Sequence, residues 1–103
     1  MELRFKNNKL EKLCSSEREM QRKRPDLKKK LRLRMNALRA ADTIGDLPTD
    51  DPGGDWHDVD SMRPDCWAGE LSGNWRLLVK PSPAGKLSAK LATVFDIEDY
   101  HKN

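Results

Sequence analysis

The sequence predicts a small α+β domain in which two helices pack on one side of a small sheet. Three observations carry this prediction: a short alternating run near the N-terminus, a long amphipathic stripe in the basic first half, and three alternating runs in the second half. The sheet is expected to combine the N-terminal strand with an antiparallel three-strand meander. A chain of 103 residues has room for one hydrophobic core, so residues 1–103 are expected to form a single domain.

The N-terminal segment is expected to form one strand and one helix. Apolar and charged residues alternate over residues 2–6, which predicts a half-buried strand. Apolar residues then recur at helical spacing, which predicts a helix over residues 8–23. Ser16 and Glu19 have the spacing of a capping box, so an interruption of this helix near Ser15 stays open.

A second helix is predicted over residues 25–41. Proline is tolerated in the first turn of a helix and disfavours helix in the residue before it, so Pro25 marks a start. Four apolar residues recur along one face of this segment: Leu27, Leu31, Met35 and Leu38. The other side is basic, and this pattern is typical of an amphipathic helix packed on a core.

Charge is divided unevenly along the chain, although the net charge is only +3. Residues 17–39 hold ten lysines and arginines against three acids, whereas residues 42–70 hold nine acids and one arginine. Such asymmetry predicts a basic face for a polyanion and an acidic segment with another task. Proline and glycine interrupt residues 42–64, which are predicted to form a long acidic loop.

Three strands are predicted in the second half, over residues 67–71, 74–80 and 91–97. In the middle strand the residues expected on one face are Trp75, Leu77 and Val79, and those expected on the other are Arg76, Leu78 and Lys80. In the last strand one face is expected to carry Thr93, Phe95 and Ile97.

The composition is that of a folded and strongly charged domain. Apolar and charged residues each make up 36% of the chain, and the apolar residues are clustered rather than diluted. No run approaches the roughly 18 apolar residues of a membrane span and no signal peptide is recognisable, so a cytoplasmic protein without a membrane partner is expected. Cys14 and Cys66 fit no metal spacing, which predicts reduced packing thiols and no metal or other cofactor.

The residues with catalytic potential are scattered along the chain. The sequence holds no glycine-rich phosphate loop, no metalloprotease helix motif and no serine nucleophile elbow. The remaining candidates are His57, Arg63, Arg76, Lys80, Asp99, Tyr100 and His101. Strand pairing is expected to bring Arg76 beside Tyr100 and His101. These residue types suit RNA cleavage through the 2′-hydroxyl, which needs proton carriers and positive charge at the phosphorane.

Four short motifs, in their order and spacing, resemble those of one toxin family. They are Leu10-Glu11-Lys12-Leu13-Cys14, Lys30-Leu31-Arg32-Leu33-Arg34-Met35-Asn36-Ala37-Leu38, Gly73-Asn74-Trp75-Arg76-Leu77 and Glu98-Asp99-Tyr100-His101. Over nearly its whole length the chain resembles the HigB-type toxins, the plasmid maintenance system killers of the RelE/ParE superfamily. The likeness is weakest in the long middle loop.

This resemblance implies a toxin that cleaves mRNA in the ribosomal A site and is neutralised by a HigA-type helix-turn-helix antitoxin. Operator DNA would then be contacted only through the antitoxin. Position by position, the family's strand arginine falls on Arg76, and its terminal acid, tyrosine and histidine fall on Asp99, Tyr100 and His101. Its loop histidine falls on His57, and which histidine is base or acid stays open.

The acidic loop departs from the family, because a basic position of the family falls on Asp60. An acid beside a scissile phosphate would repel it. Three explanations stay open: Arg63 replaces the missing cation, nuclease activity is weak, or the acids meet a basic surface of the antitoxin.

Three functional hypotheses follow from the sequence. The leading one is a ribosome-dependent mRNA endonuclease that inhibits translation and binds RNA through Lys28, Lys29, Lys30, Arg32, Arg39, Arg63 and Lys80. The second is a ParE-like toxin that binds DNA gyrase and cleaves nothing, and the third is a catalytically weak nucleic-acid-binding member of the fold. The terminal Asp-Tyr-His favours the nuclease, because an inhibitor that acts by binding alone has no need of a proton carrier.

Overall fold

A computed structural model describes residues 1–100 as a small α+β domain with four helices and a mixed five-stranded sheet. The α-helices are α1 (Asn8–Ser15), α2 (Glu17–Lys23), α3 (Lys28–Ala40) and α4 (Leu47–Asp50), and two short 3-10 turns span Ile44–Asp46 and Pro52–Gly54. The strands are β1 (Glu2–Phe5), β2 (His57–Asp58), β3 (Trp67–Ser72), β4 (Trp75–Ser82) and β5 (Leu91–Asp99). Among residues 1–100, no helix has both the length and the apolar character needed to cross a membrane.

The sheet contains one strand more than the four that the sequence predicts. Its strand order is β1-β5-β4-β3-β2, with β1 parallel to β5 and all other neighbours antiparallel. The extra strand, β2, pairs His57 with Ala68 and Asp58 with Trp67 at the edge of the sheet. Two residues are too few to leave an alternating pattern in the sequence, so this strand could not be found there.

The helices are shorter than predicted, for local reasons. The segment predicted as a helix over residues 8–23 is two helices, because Ser16 adopts an extended conformation and its hydroxyl accepts the backbone N–H of Glu19 at 3.3 Å. The predicted helix over residues 25–41 begins three residues later, at Lys28. Leu27 donates its backbone N–H to the Arg24 carbonyl at 3.0 Å, so the residues around the proline form a turn first.

The core lies between the helices and one face of the sheet. The apolar stripe predicted on α3 is confirmed, since its four residues are at most 1% exposed. They pack with Leu77 and Val79 of β4 and with Val94 of β5 in one cluster. Burial of these side chains, at about 1.5–3 kcal/mol for each large aliphatic residue, holds the helical layer on the sheet.

The last strand does not have the single apolar face that the sequence predicts. The register with β4 shifts where Leu78 pairs with Asp96 and Val79 pairs with Val94, which leaves Phe95 unpaired in a bulge. Ile97 therefore joins the core, while Phe95 packs on the opposite side of the sheet. A bulge inserts one residue and so inverts the alternation beyond it, and the sequence alone gave no sign of this.

We call the side of the sheet away from the helices the outer face. It carries Arg76, Leu78, Lys80, Phe95 and Tyr100. Beneath the aromatic rings lies a small second cluster of buried residues made of Val59, Cys66, Ala68 and Leu78. The predicted placement of Arg76, Leu78 and Lys80 opposite the core side of β4 is thus confirmed.

The acidic loop over residues 42–64 is held by a buried arginine of α3 rather than left without structure. Arg34 is 2% exposed, and its guanidinium donates to the Glu70 carbonyl at 2.6 Å, to the Asp51 carboxylate at 3.0 Å and to the Gly53 carbonyl at 2.8 Å. Asp51 also accepts the indole N–H of Trp56 at 2.9 Å. This network ties α3, β3 and the loop together immediately before β2.

Both cysteines are free and buried, and their thiols are expected to react slowly in the native protein. Burial raises the pKa of the Cys14 thiol to about 12 and also raises the pKa of the Cys66 thiol. Because the thiolate is the reactive form, a coloured disulfide reagent should label neither thiol at neutral pH until denaturant is added. Rapid labelling of either thiol in the folded protein would contradict the buried placement.

Candidate nucleic-acid interface

Arg76 is the best-placed cation of the outer face. Its Nη1 donates to the carbonyls of Gly73 and Trp75, each at 2.9 Å, and its Cζ lies 5.6 Å from the centre of the Tyr100 ring. Among residues 1–100, no carboxylate forms an ion pair with it. The guanidinium is therefore held in place by neutral groups, and no ion pair within residues 1–100 neutralises its charge.

One of the two carboxylates opposite Arg76 in the sheet register is neutralised by the loop arginine. Glu98 lies opposite Arg76 in the register of β4 and β5. Arg63 grips this carboxylate with two nitrogens: Nε donates to Oε2 at 2.8 Å, and Nη2 donates to Oε1. Arg63, predicted to bind RNA, is thus paired within the molecule, and it cancels a negative charge that would otherwise compete for Arg76.

Tyr100 presents its ring to Arg76, while its hydroxyl points into the protein. The Tyr100 backbone N–H donates to the Asn74 carbonyl at 2.9 Å, which holds the residue at the end of β5. The ring packs on the cluster beneath the outer face, and its hydroxyl is buried with no hydrogen-bond partner in the described part of the chain. This placement suits a ring that supports Arg76 better than a hydroxyl that moves a proton.

Burial, and to a lesser degree the Glu98 carboxylate, raises the pKa of Tyr100 above its usual value. Since Tyr100 is the only tyrosine, titration of phenolate absorbance should give a midpoint above the ordinary value of about 10. The raised pKa means that the folded state holds this proton more tightly than the unfolded state. The stability that it contributes is therefore present below about pH 10 and is lost as the pH rises through the folded pKa. A midpoint at or below that of free tyrosine would contradict this environment.

Replacing Tyr100 by phenylalanine is expected to leave the free energy of unfolding unchanged or slightly higher. The change removes a buried hydroxyl that has no partner within residues 1–100 and keeps the ring. Denaturant unfolding of the two proteins measures the difference. A clear loss of stability in the phenylalanine variant would show that the hydroxyl does make a bond.

A second pair of cations lies farther along the outer face, around Phe95. The ammonium groups of Lys80 and Lys6 lie 4.0 Å and 4.6 Å from the centre of the Phe95 ring. Lys80 was predicted as an RNA-binding residue, whereas Lys6 and Phe95 were missed. Nothing in the sequence except its charge distinguishes Lys6. Phe95 was assigned to the core together with Ile97, because the sequence pattern does not reveal the bulge in this strand.

His57 lies toward the same side of the sheet, near its edge. It is paired with Ala68, which is itself paired with Leu78, and residues directly opposite in a sheet share a face. The Nδ1 of His57 lies 2.6 Å from the Asp55 carbonyl. A carbonyl can only accept, so Nδ1 of this exposed ring carries a proton in the contact, and Nε2 is the ring nitrogen left for another group. Trp56, buried just before it, anchors this edge.

The remaining predicted catalytic residues lie at or beyond the end of β5. Asp99 is paired with Trp75 in the register and is the last residue of the strand. His101 lies outside the described residues, so its position relative to Arg76 stays a prediction. Within residues 1–100, no group of three or more His, Cys, Asp or Glu residues is arranged to hold a metal ion.

The predicted RNA-binding residues are divided between two sides of the molecule. Lys80 lies on the outer face, whereas five others belong to α3, whose apolar stripe packs on the opposite side of the sheet: Lys28, Lys29, Lys30, Arg32 and Arg39. Among these, Arg32 pairs with Glu17 at 3.2 Å. The sequence prediction treats these cations as one set, but the fold separates them because an amphipathic helix turns its charged side away from the sheet.

The acids around Asp60 serve the loop's own backbone. The Asp60 N–H donates to Oδ1 of Asp58, and the Asp65 N–H donates to Oδ1 of Asp60, each at 2.6 Å. The turn closes through Val59, whose N–H donates to the Cys66 carbonyl at 2.9 Å. These side chains cap a tight turn, which gives the acidic residues a structural role that was not among the explanations considered from the sequence.

An open groove borders the outer face where β1 ends and β5 continues. It has a volume of about 320 Å³ and is lined by Lys6, Asn7, Lys9, Leu10, Leu13, Lys23, Arg24, Phe95, Asp96 and Ile97. The groove thus joins Phe95 to further cations from α1 and α2. Its positive rim extends the cationic surface beyond the sheet.

Fold and site together define a class: a small α+β domain with a cationic, aromatic sheet face. No protein-family model, curated protein or solved structure matches the chain. Its function therefore has to be argued from the residues of this face.

Proposed function

We propose that the protein is a HigB-type toxin of the RelE/ParE superfamily that binds single-stranded RNA on its outer face and cleaves mRNA on the ribosome. The order of elements supports the proposal, since an N-terminal strand and helices precede the antiparallel strands β3, β4 and β5. The four motifs of the resemblance are spread over the same elements. The RelE/ParE-like fold is part of this proposal.

The observation that carries it is the state of Arg76. An arginine fixed by two carbonyls and unpaired with any carboxylate of the described chain can bind a phosphate through two parallel hydrogen bonds. In cleavage the 2′-oxygen attacks the phosphorus and the bond to the 5′-oxygen breaks. Arg76 stabilises the extra negative charge of the phosphorane between these events.

Proton transfer is the second requirement of this reaction. One group takes the proton of the 2′-hydroxyl and another gives a proton to the leaving 5′-oxygen. We propose His57 and His101 for these steps without assigning base and acid, and Asp99 as a group that orients His101. The free Nε2 of His57 supports its role.

A second candidate function is RNA binding without cleavage. One observation in its favour is the Tyr100 hydroxyl, which is buried and so cannot donate a proton to a bound RNA. The other is the pair of carboxylates, Glu70 and Glu98, that lie on either side of Arg76 in the sheet register and would oppose the negative charge of a phosphorane. Such a protein would still bind the phosphate backbone through the same outer face. Only a cleavage assay separates the two candidates.

The proposed partners follow from the toxin hypothesis. A HigA-type helix-turn-helix antitoxin neutralises the protein and alone contacts operator DNA, and the site of action is the cytoplasmic ribosome with its mRNA. The lysines of α3 lie on the opposite side of the sheet from the outer face, so we propose that they hold ribosomal RNA while message lies on the sheet. Their contact should weaken as salt is raised, because phosphate contacts release counterions.

The test is a cell-free translation reaction in which purified protein is added to a defined message. Primer extension should show cuts within the translated region, and none when initiation is blocked. Intact message under both conditions would reject the nuclease. In that case, binding of the protein to a short RNA would support the second candidate, whereas inhibition of DNA supercoiling would identify a gyrase toxin.

A further inference from the structure

We infer that Phe95, Lys6 and Lys80 form a nucleobase subsite, in which one base of a bound single strand stacks on the ring while its flanking phosphates meet the two ammonium groups. The inference rests on the proposed binding of RNA by the outer face, and it adds the residues that read a base rather than the backbone. Neither Lys6 nor Phe95 is part of the cleavage chemistry.

A bulge in β5 lies beside this subsite. Ala92 and Val94 lie in the core, so ordinary alternation turns Phe95 to the outer face, and the bulge that follows returns Ile97 to the core. The chain therefore displays a half-buried aromatic ring on the outer face. Bulges are enriched next to functional sites, and a ring on a sheet face is a surface on which bases stack.

The two lysines supply charge that nothing within the described chain neutralises. Both ammonium groups lie over the same ring, at 4.0 and 4.6 Å, and neither forms an ion pair with a carboxylate of residues 1–100. Their distances to the one ring centre put the two ammonium groups at most about 9 Å apart, and like charges at this range repel each other. A phosphate that bridges them relieves the repulsion, and this is the chemistry of a nucleic-acid backbone.

The lysine heads can move aside for a base. A cation over an exposed aromatic ring is weakly bound, and Lys6 is exposed, so its flexible chain can swing from the ring to a phosphate. Lys80 lies four residues from Arg76 on the same strand and the same face, roughly 13 Å away at the usual rise of a strand. One short strand of RNA can therefore contact Arg76 and reach the subsite.

The experiment compares two probes of equal length: an oligouridylate and a ribose-phosphate oligomer without bases. The wild-type protein should bind the oligouridylate roughly 5- to 160-fold more tightly, which is the range expected for one stacked base. Phe95→Leu should remove this preference, because it should lower the affinity for the oligouridylate and leave the affinity for the base-free oligomer unchanged. Phe95→Tyr keeps an aromatic ring and should retain the preference.

The lysines should behave differently from the ring. Lys6→Met and Lys80→Met should each lower the affinity for both probes by the same factor. Each should also reduce the magnitude of the slope of log affinity against log salt by about 0.7, the value for one phosphate contact on a single strand. Lys12→Met, which removes an exposed lysine of α1, is the matched control and should change neither quantity for these short probes.

Two results would overturn the subsite. If the wild-type protein binds both probes with equal affinity and Phe95→Leu changes nothing, RNA is bound but no base is stacked on Phe95. If neither probe binds at all, RNA binding by the outer face fails together with the subsite. The two failures are thus distinguishable in one set of titrations.

Discussion

Replacing Arg76 by alanine is expected to reduce mRNA cleavage by about 10²- to 10³-fold, the usual loss when one fixed donor to a developing oxyanion is removed. Among residues 1–100, no other cation of the outer face is held by two carbonyls beside a tyrosine ring. Arg76→Lys should recover only part of the activity, because an ammonium keeps the charge without the two parallel donors. Primer extension in cell-free translation measures both variants.

Arg18→Ala is the matched control for this substitution. Arg18 is an exposed arginine of α2, on the helical side of the molecule, and has no ion-pair partner within the described chain. The Arg18→Ala variant loses the same positive charge as Arg76→Ala, but on the helical side and away from the outer face. Its rate of mRNA cleavage should therefore match that of the wild type. Equal rates for the alanine variants of Arg76 and Arg18 would mean that Arg76 is not at the reacting phosphate.

Replacing Arg34 by methionine is expected to lower the free energy of unfolding by about 3–5 kcal/mol, the range for removing one partner of a buried ion pair. The change leaves the Asp51 carboxylate without its cation, and it also removes the donors to the Glu70 and Gly53 carbonyls. Methionine fills most of the volume, so the loss reports on the polar network. Urea unfolding followed by tryptophan fluorescence provides the measurement.

Arg32→Met is the corresponding control on the same helix. Arg32 pairs with Glu17 at the surface, where both side chains are about half exposed, and such pairs contribute at most about 1 kcal/mol. A stability loss for Arg34→Met as small as that for Arg32→Met would contradict the role of Arg34 in holding the acidic loop. The same loop carries His57, so loss of the network should also disturb the edge of the outer face.

The elements that follow from local pattern were predictable. The stripe of α3 recurs every three or four residues and is buried as expected, and β4 alternates so regularly that both of its faces were assigned correctly. Pairing of consecutive strands also placed Arg76 near the end of β5, where the structure finds it beside Tyr100. In each case one period in the sequence determines which way the side chains point.

What could not be predicted depends on partners that are distant in the sequence. In the sequence, Arg34 cannot be distinguished from the other cations of a basic helix. Its role depends on Asp51 and Gly53, which accept its hydrogen bonds only in the folded protein. Phe95 reads as a core residue because a bulge is set by the pairing of two strands and not by either strand alone. The acids of the loop have the sequence pattern of a charged surface, yet two of them, Asp58 and Asp60, accept backbone N–H groups of their own turn.

We propose that single-stranded message, unlike ribosomal RNA, lies on the outer face and not on the basic helix. The most direct test of this placement is the mapping of amide chemical-shift changes by NMR as a short oligouridylate is added at low salt. The changes should concentrate in β4 and β5, around Arg76, Lys80 and Phe95, and the amides of α3 should shift little. Changes confined to α3, with β4 and β5 unaffected, would contradict it.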